Sequence, residues 1–208
     1  FKSEHTNEAI LDRVVKINVP YCLELDEEVK IYKKILKGSD FKAHIAPHTI
    51  KVASMFSVMS RLKKSGKCDA LTKMKIYNGE EVIEKGRVKN IDINDLREEH
   101  REEGMTGIST RFIMKSIDHA LVMSENHCVT PIGVMKSITK MVKEQIVDED
   151  FRERCLGLVQ NIVREEYLKI LETEIAKAFI TAYEEQAQSL FDTYLDNAEA
   201  YTTKQKMK

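Results

Sequence analysis

No cysteine in this chain has a near partner. The four, Cys22, Cys68, Cys128 and Cys155, are widely spaced, with no CxxC pair. They read as reduced thiols in a reducing compartment, not as a disulfide framework. Long apolar runs are missing too. No stretch is apolar enough to span a bilayer, and the first residues lack the apolar core of a signal peptide. A cytoplasmic protein with no membrane partner is therefore expected. Charge of one sign is also lacking: 33 Lys and Arg against 34 Asp and Glu leave a net −1. Global charge gives no reason to expect DNA, RNA or an anionic membrane as partner.

Several chemical signatures are absent as well. There is no GxxxxGK[ST] phosphate loop and no GxGxxG. HExxH and clustered Cys/His zinc spacings are missing, as are the GxSxG elbow and the HRD and DFG motifs of the common protein kinases. His44 and His48 stand four apart, a possible metal spacing on a helix. Pro47 lies between them, so the pair reads as straddling a helix start, structural or exposed, and no metal site is expected.

What is present is a chain of 208 residues, 42% hydrophobic and 32% charged. That suits one large domain or two small ones, with a packed core and a well-solvated surface. The chain begins at Phe1 and not at a methionine, which suggests a piece of a longer protein.

Helical patterns dominate. Thr6 to Arg13 reads as a short capped helix. Val14 to Pro20 is β-branched, partly alternating and stopped by proline, so it reads as one strand. No convincing second strand is found, and a lone strand leaves its backbone groups unpaired. Asp26 is expected to cap a helix with Val29, Tyr32, Ile35 and Leu36 on one face, ended by Gly38. Pro47 is expected at the first position of the next helix, with a stripe of Ile50, Ala53, Phe56, Met59 and Leu62. Asp69 caps a shorter helix that stops at Tyr77-Asn78-Gly79. Residues 79 to 104 read as a charged surface loop with one short polar helix from Ile93 to His100. Further on, Thr130 and Pro131 open a helix carrying Val134, Met135, Ile138, Met141 and Val142. From Asp148 to Tyr201 there is no proline, and Gly157 is the only glycine. So long a helical pattern suggests a protruding helix or a helix pair that docks on something.

The stretch GMTGISTRFI, from Gly104 to Ile113, raises the sharpest question. Ser109 reads as an N-cap, and Ile108 with Ile113 as a hydrophobic staple across it. Arg111 then falls in the first turn, beside the positive end of the helix dipole, which costs an exposed cation about 0.3–1 kcal/mol. A bound phosphate would reverse that, since a helix start offers free amides and guanidinium grips phosphate oxygens in a fork. A surface ion pair with Glu102 or Glu103 would also explain it, and local chemistry alone favours the ion pair. Arg13 is similar: it ends a short helix, with Asp12 or Glu8 as ordinary partners.

Certain stretches resemble the PrkA family of bacterial serine protein kinases, whose N-terminal part resembles AAA+ ATPases. They are NEAILDRV at Asn7 to Val14, VPYCL at Val19 to Leu23 and EEVKIYKKIL at Glu27 to Leu36. They continue with APHTIKVASMFSVMSRLK at Ala46 to Lys63, KMKIYNGE at Lys73 to Glu80 and EGMTGISTRF at Glu103 to Phe112. A weaker similarity runs from Ala178 to Tyr201.

The resemblance implies a mainly α fold with one short N-terminal strand. Residues 1–20 would be the end of an AAA+ core, 21–124 its helical lid, and 125–208 a helical extension leading toward a kinase-like C-terminal domain beyond Lys208. It implies ATP as cofactor, with the Walker motifs and magnesium ligands upstream of Phe1. Arg111 matches the sensor 2 position that reaches the γ-phosphate, and Arg13 an arginine finger offered to a neighbouring subunit's ATP. The partners implied are ATP, proteins phosphorylated on serine, and further copies of the intact chain. The alternative is a non-enzymatic helical adaptor or oligomerisation module docking through the stripe of residues 148–201. On the first reading, purified residues 1–208 hydrolyse no ATP in a steady-state assay; measurable turnover would overturn that expectation.

Overall fold

The computed structural model describes residues 13, 15, 17–84, 87–88 and 91–202, with backbone alone for 83–84, 87–88, 181–183 and 185–186. It is mainly helical. Helix α1 spans Leu25–Lys37, followed by strand β1 (His44–Ile45), α2 (Thr49–Arg61) and α3 (Ala70–Tyr77). A two-residue hairpin, β2 (Ile83–Glu84) and β3 (Arg87–Val88), precedes α4 (Ile93–Glu99) and α5 (Thr110–Val122). Then come β4 (Cys128–Val129), α6 (Pro131–Gln145), α7 (Glu149–Gly157), a π-helical segment (Leu158–Val163) and α8 (Arg164–Thr202).

Residues up to Val163 form one unit, built around α2. Helices α1, α3, α5 and α6 and the π segment all contact α2. Every residue of α2 except Lys51 is buried, including Phe56, Val58 and Met59 at 0% exposure. The sequence suggests an apolar stripe, but the helix is covered on all sides. Its serines make this possible: they are small, and two of them find partners. Ser60 Oγ donates to the Ser57 carbonyl at 2.6 Å and accepts the Ile108 amide at 3.0 Å. At the far end, Arg154 of α7 donates to the carbonyls of Met59 and Leu62, adding to the bond that the Leu62 amide makes to Met59, at a helix end where carbonyls run short of intrahelical donors.

Strands β1 and β4 pair in parallel, His44 opposite Cys128 and Ile45 opposite Val129. The pairing steers the chain into α2: the Ala46 amide and the Thr49 hydroxyl both donate to the Val129 carbonyl. As a result α2 starts at Thr49, not at Pro47, which sits in a turn. His48 is the N-cap residue, in the left-handed region with φ 63°. The pair His44 and His48 is thus split between a strand and a helix cap. Strands β2 and β3 pair antiparallel within the stretch read as loop.

Several caps fall where the local chemistry predicts. Asp69 accepts the Thr72 amide, Ser109 the Phe112 amide and Thr130 the Gly133 amide. Asp26 does not cap. Helix α1 begins one residue before it, behind Glu24, whose side chain makes no cap bond. The side chain of Asn78, 52 residues away, accepts the Asp26 amide at 2.9 Å instead.

The expected strand at Val14 to Pro20 is not formed among its described residues, which carry no ladder partner; Val14 and Lys16 lie outside them. Val15, Ile17 and Val19 are 80–85% exposed. The helix expected at Thr6 to Arg13 lies outside the described residues apart from Arg13 itself.

Residues from Arg164 form a second unit, the 39-residue helix α8. At 1.5 Å per residue it is roughly 58 Å long. Lys169–Glu166 and Lys177–Glu174 pair along it. Leu168, Leu171, Ile175 and Phe179 lie at helical spacing and are exposed. No helix is long and apolar enough to cross a membrane among the described residues.

Because α2 is enclosed on every side, truncation inside it leaves a cavity that cannot collapse. Phe56→Ala is expected to cost about 3–5 kcal/mol, read as a lower urea midpoint at unchanged slope.

Candidate functional site at the start of helix α5

The segment from Glu103 to Ser109 forms the approach to α5; Met105 and Thr106 are exposed, and the other five residues each have a packing or capping role. Glu103 is 6% exposed. Its Oε1 accepts from Lys73 Nζ at 2.7 Å and from the Lys63 amide at 2.5 Å. Its Oε2 accepts from the Tyr77 hydroxyl at 2.8 Å. Burial first, then the bond to Glu103, pushes the Tyr77 phenol well above its ordinary range, so it remains a donor.

Gly104 and Gly107 follow, at φ 83° and 123°. The Gly104 amide donates to the Arg61 carbonyl at 3.4 Å, and its own carbonyl accepts the Tyr21 amide at 2.9 Å. A Cβ on Gly107 would stand 2.7 Å from Arg61 Cγ and 2.8 Å from Arg61 Cα. Only a residue without a side chain allows that approach. Ile108 and Ile113, the two staple residues, are both buried.

On the other side of this loop lies a second buried ion pair. Arg61 Nη2 donates to Glu28 Oε1 at 2.7 Å, with side-chain exposures of 0% and 1%. Nη2 also reaches Ser57 Oγ at 2.6 Å. Nε donates to the Ile108 carbonyl at 3.0 Å and Nη1 to the Cys22 carbonyl at 2.8 Å. The guanidinium carbon lies 4.7 Å from the Tyr21 ring centroid. Tyr32 donates to Glu28 Oε1 at 2.5 Å; burial, reinforced by the Glu28 charge, keeps its phenol protonated far above the ordinary range.

Arg111 lies just beyond this loop, in the first turn of α5, and is exposed. The ion pair that local chemistry favours is not formed. Glu103 is turned inward to Lys73, and Glu102 faces Lys63 at 4.0 Å. Among the described residues Arg111 has no hydrogen bond or ion pair, and no acid lies in the first turn of α5. Ser109 satisfies the Phe112 amide at 3.3 Å, while the amides of Thr110 and Arg111 stay open, as a first turn requires. An unpaired guanidinium beside open amides suits an oxyanion. Arg13 is exposed; Glu8 and Asp12, its expected partners, lie outside the described residues.

Arg61, Glu28 and Lys73 are not singled out by sequence reasoning. The available signal is a charge inside an otherwise apolar helical run, as at Arg61 after Met59, but such a charge reads first as a helix end. A cleft of about 500 Å³ opens beside Tyr21, with Tyr77, Arg97, His100 and Arg101 on its walls. A second cavity, of about 670 Å³, lies between the end of α5 and the start of α6. His119 borders it and is held there: Ser137 gives its hydroxyl proton to the Ser116 carbonyl, so His119 Nδ1 donates to Ser137 Oγ at 3.0 Å. No cluster of three or more metal-ligating side chains occurs among the described residues.

Gly107→Ala combines strained backbone with a clash against Arg61. It is expected to destabilise by about 2–4 kcal/mol, from a forbidden φ and overpacking together, seen as a lowered thermal midpoint.

Comparison with known proteins divides the chain in two. Residues 1–69 match the PrkA AAA domain, and residues 71–208 match the PrkA serine protein kinase C-terminal domain. Arg13 falls in the first match and Arg111 in the second. The "ATP-dependent protease PrkA" of Bacillus subtilis (strain 168) is 39% identical over 213 residues, covering 100% of this chain and 33% of that protein. The "Serine/threonine kinase YeaG" of Escherichia coli (strain K12) is 32% identical over 209 residues, covering 96% of this chain and 31% of that protein. The chain thus spans about a third of the length of the curated relatives it matches. No solved structure matches it.

Proposed function

Because the chain belongs to the PrkA family, we propose that it supplies the nucleotide-sensing lid and linker of an ATP-binding serine protein kinase. An AAA-type domain belongs to a nucleotide-binding class, which supports a phosphate-bearing ligand at residues 1–69; the proposed lid, residues 21–124, extends past that match, and Arg111 lies in the second one. The observation that carries the reading is Arg111, exposed and unpaired at a helix start with open amides. Its cost there, under about 1 kcal/mol, is reversed when an anion lies between guanidinium and dipole. ATP with Mg²⁺ is the anion proposed, its terminal phosphate held by Arg111; ATP supplies the transferable phosphoryl group. Arg13 would serve a neighbouring subunit's nucleotide in an oligomer of the intact protein, and the phosphorylated substrates would be proteins modified on serine. The setting proposed is the cytoplasm. Residues 125–208 continue as the helical extension.

One relative carries the name of an ATP-dependent protease, which supports a second reading in which turnover drives proteolysis. The role of Arg111 is the same in both. Incubation of the full-length protein with γ-labelled ATP and candidate proteins separates them: label on serine supports the kinase, acid-soluble peptides the protease.

Steady-state ATP hydrolysis by the full-length protein tests the site. Arg111→Ala is expected to lower kcat at least about 10-fold, toward the roughly 10³–10⁵ that an arginine at a phosphoryl transition state is worth. Circular dichroism should not change. An unaltered rate in a folded variant would make Arg111 a solvated helix-start arginine and end the sensing role.

A further inference from the structure

The two matched domains meet between residues 69 and 71, yet buried hydrogen bonds run across that boundary. Arg61, in the AAA match, is 2% exposed. Its fork holds three things at once. Glu28 and Ser57 anchor it within its own domain. The Cys22 carbonyl and the Tyr21 ring tie it to the segment that enters from the N-terminal residues. The Ile108 carbonyl, one residue before the cap of α5, ties it to the C-terminal match. The backbone repeats the link, since the Tyr21 amide donates to Gly104.

Stability alone does not call for this arrangement. A buried ion pair is often matched or bettered by apolar residues of similar volume. What an arginine adds is a rigid planar fork whose donors cannot follow independent movements of their acceptors. A shift of Tyr21–Cys22 therefore has to move Ile108, or a buried charge-assisted bond breaks. Ile108 carries Ser109, Ser109 caps α5, and Arg111 sits on the first turn of α5.

We propose that Arg61 is a positioning residue that couples the entering segment Tyr21–Leu23 to the N-terminus of α5, so that the two matched domains move as one body at this joint. Its effect on ATP turnover rests on the reading of Arg111 as the phosphate contact; the mechanical coupling does not.

The test uses the full-length protein with Tyr21→Ala and Arg61→Lys. Tyr21 is 39% exposed, so its truncation removes the ring over Arg61 without opening the core, and it decides the matter if Arg61→Lys does not fold. Tyr21→Ala should raise amide hydrogen exchange across residues 104–113 by about 10-fold or more, leaving α6 unchanged. It should lower kcat roughly 10- to 100-fold with KM for ATP within about twofold, as a misplaced group would. In an Arg111→Ala background it should add less than about twofold, because both changes act through one group. Unchanged exchange at 104–113 overturns the proposal. So does an unchanged kcat in Tyr21→Ala when Arg111→Ala is impaired, and so do losses that multiply. If exchange rises but Arg111→Ala alone leaves turnover intact, the phosphate-contact reading falls and the coupling stands.

Discussion

A guanidinium withdrawn from water must find protein partners for its charge and for its donors, or the fold that buries it fails. Arg61 is in that position, and much of the first unit is arranged to meet it. Glu28 comes from α1, Ser57 from the preceding turn of α2, Ile108 from the approach to α5, and Cys22 from the entering segment. Removing Glu28, the one charged partner among these, would leave an uncompensated buried charge at a cost of about 3–5 kcal/mol. The four elements are thus bound to one another by a single side chain, and the closeness of Gly107 to its Cα and Cγ follows from the same burial.

A second buried pair, Glu103 with Lys73, does the same for α3. Its carboxylate also takes the Tyr77 hydroxyl and the Lys63 amide. Between the two pairs, the run from Glu103 to Ser109 is held at both ends. Glu103 neutralises a buried lysine, the glycines allow backbone contact, Ile108 fills the core, and Ser109 caps a helix. Arg111 is the exception in this motif, since nothing among the described residues engages it. A residue so placed, beside a loop held by buried charges and backbone contacts, is where a ligand from outside the chain is best sought.

Helix α8 obeys different physics. The lysines of its salt bridges are exposed, so each pair adds little, and its apolar residues at 168, 171, 175 and 179 are exposed. Absence of proline and glycine after Gly157 accounts for its length.

Local features were open to reading from the sequence. The caps at Asp69, Ser109 and Thr130, the polar helix at Ile93–Glu99 and the long C-terminal helix depend on residues within a turn or two of one another. The placement of Arg111 at a helix start belongs with them. Its freedom from Glu102 and Glu103 does not, because Glu103 turns inward to a lysine 30 residues earlier. The same holds for Asp26, displaced from its cap by Asn78, and for Pro47, displaced by the pairing of β1 with β4. The enclosure of α2 on all faces and the burial of Arg61 likewise came only with the tertiary structure. Short-range sequence decides which segments can be helices and how they begin, since those bonds close within a few residues. Which charges go inside is decided by partners brought from 30 to 47 residues away, and no local pattern encodes those meetings.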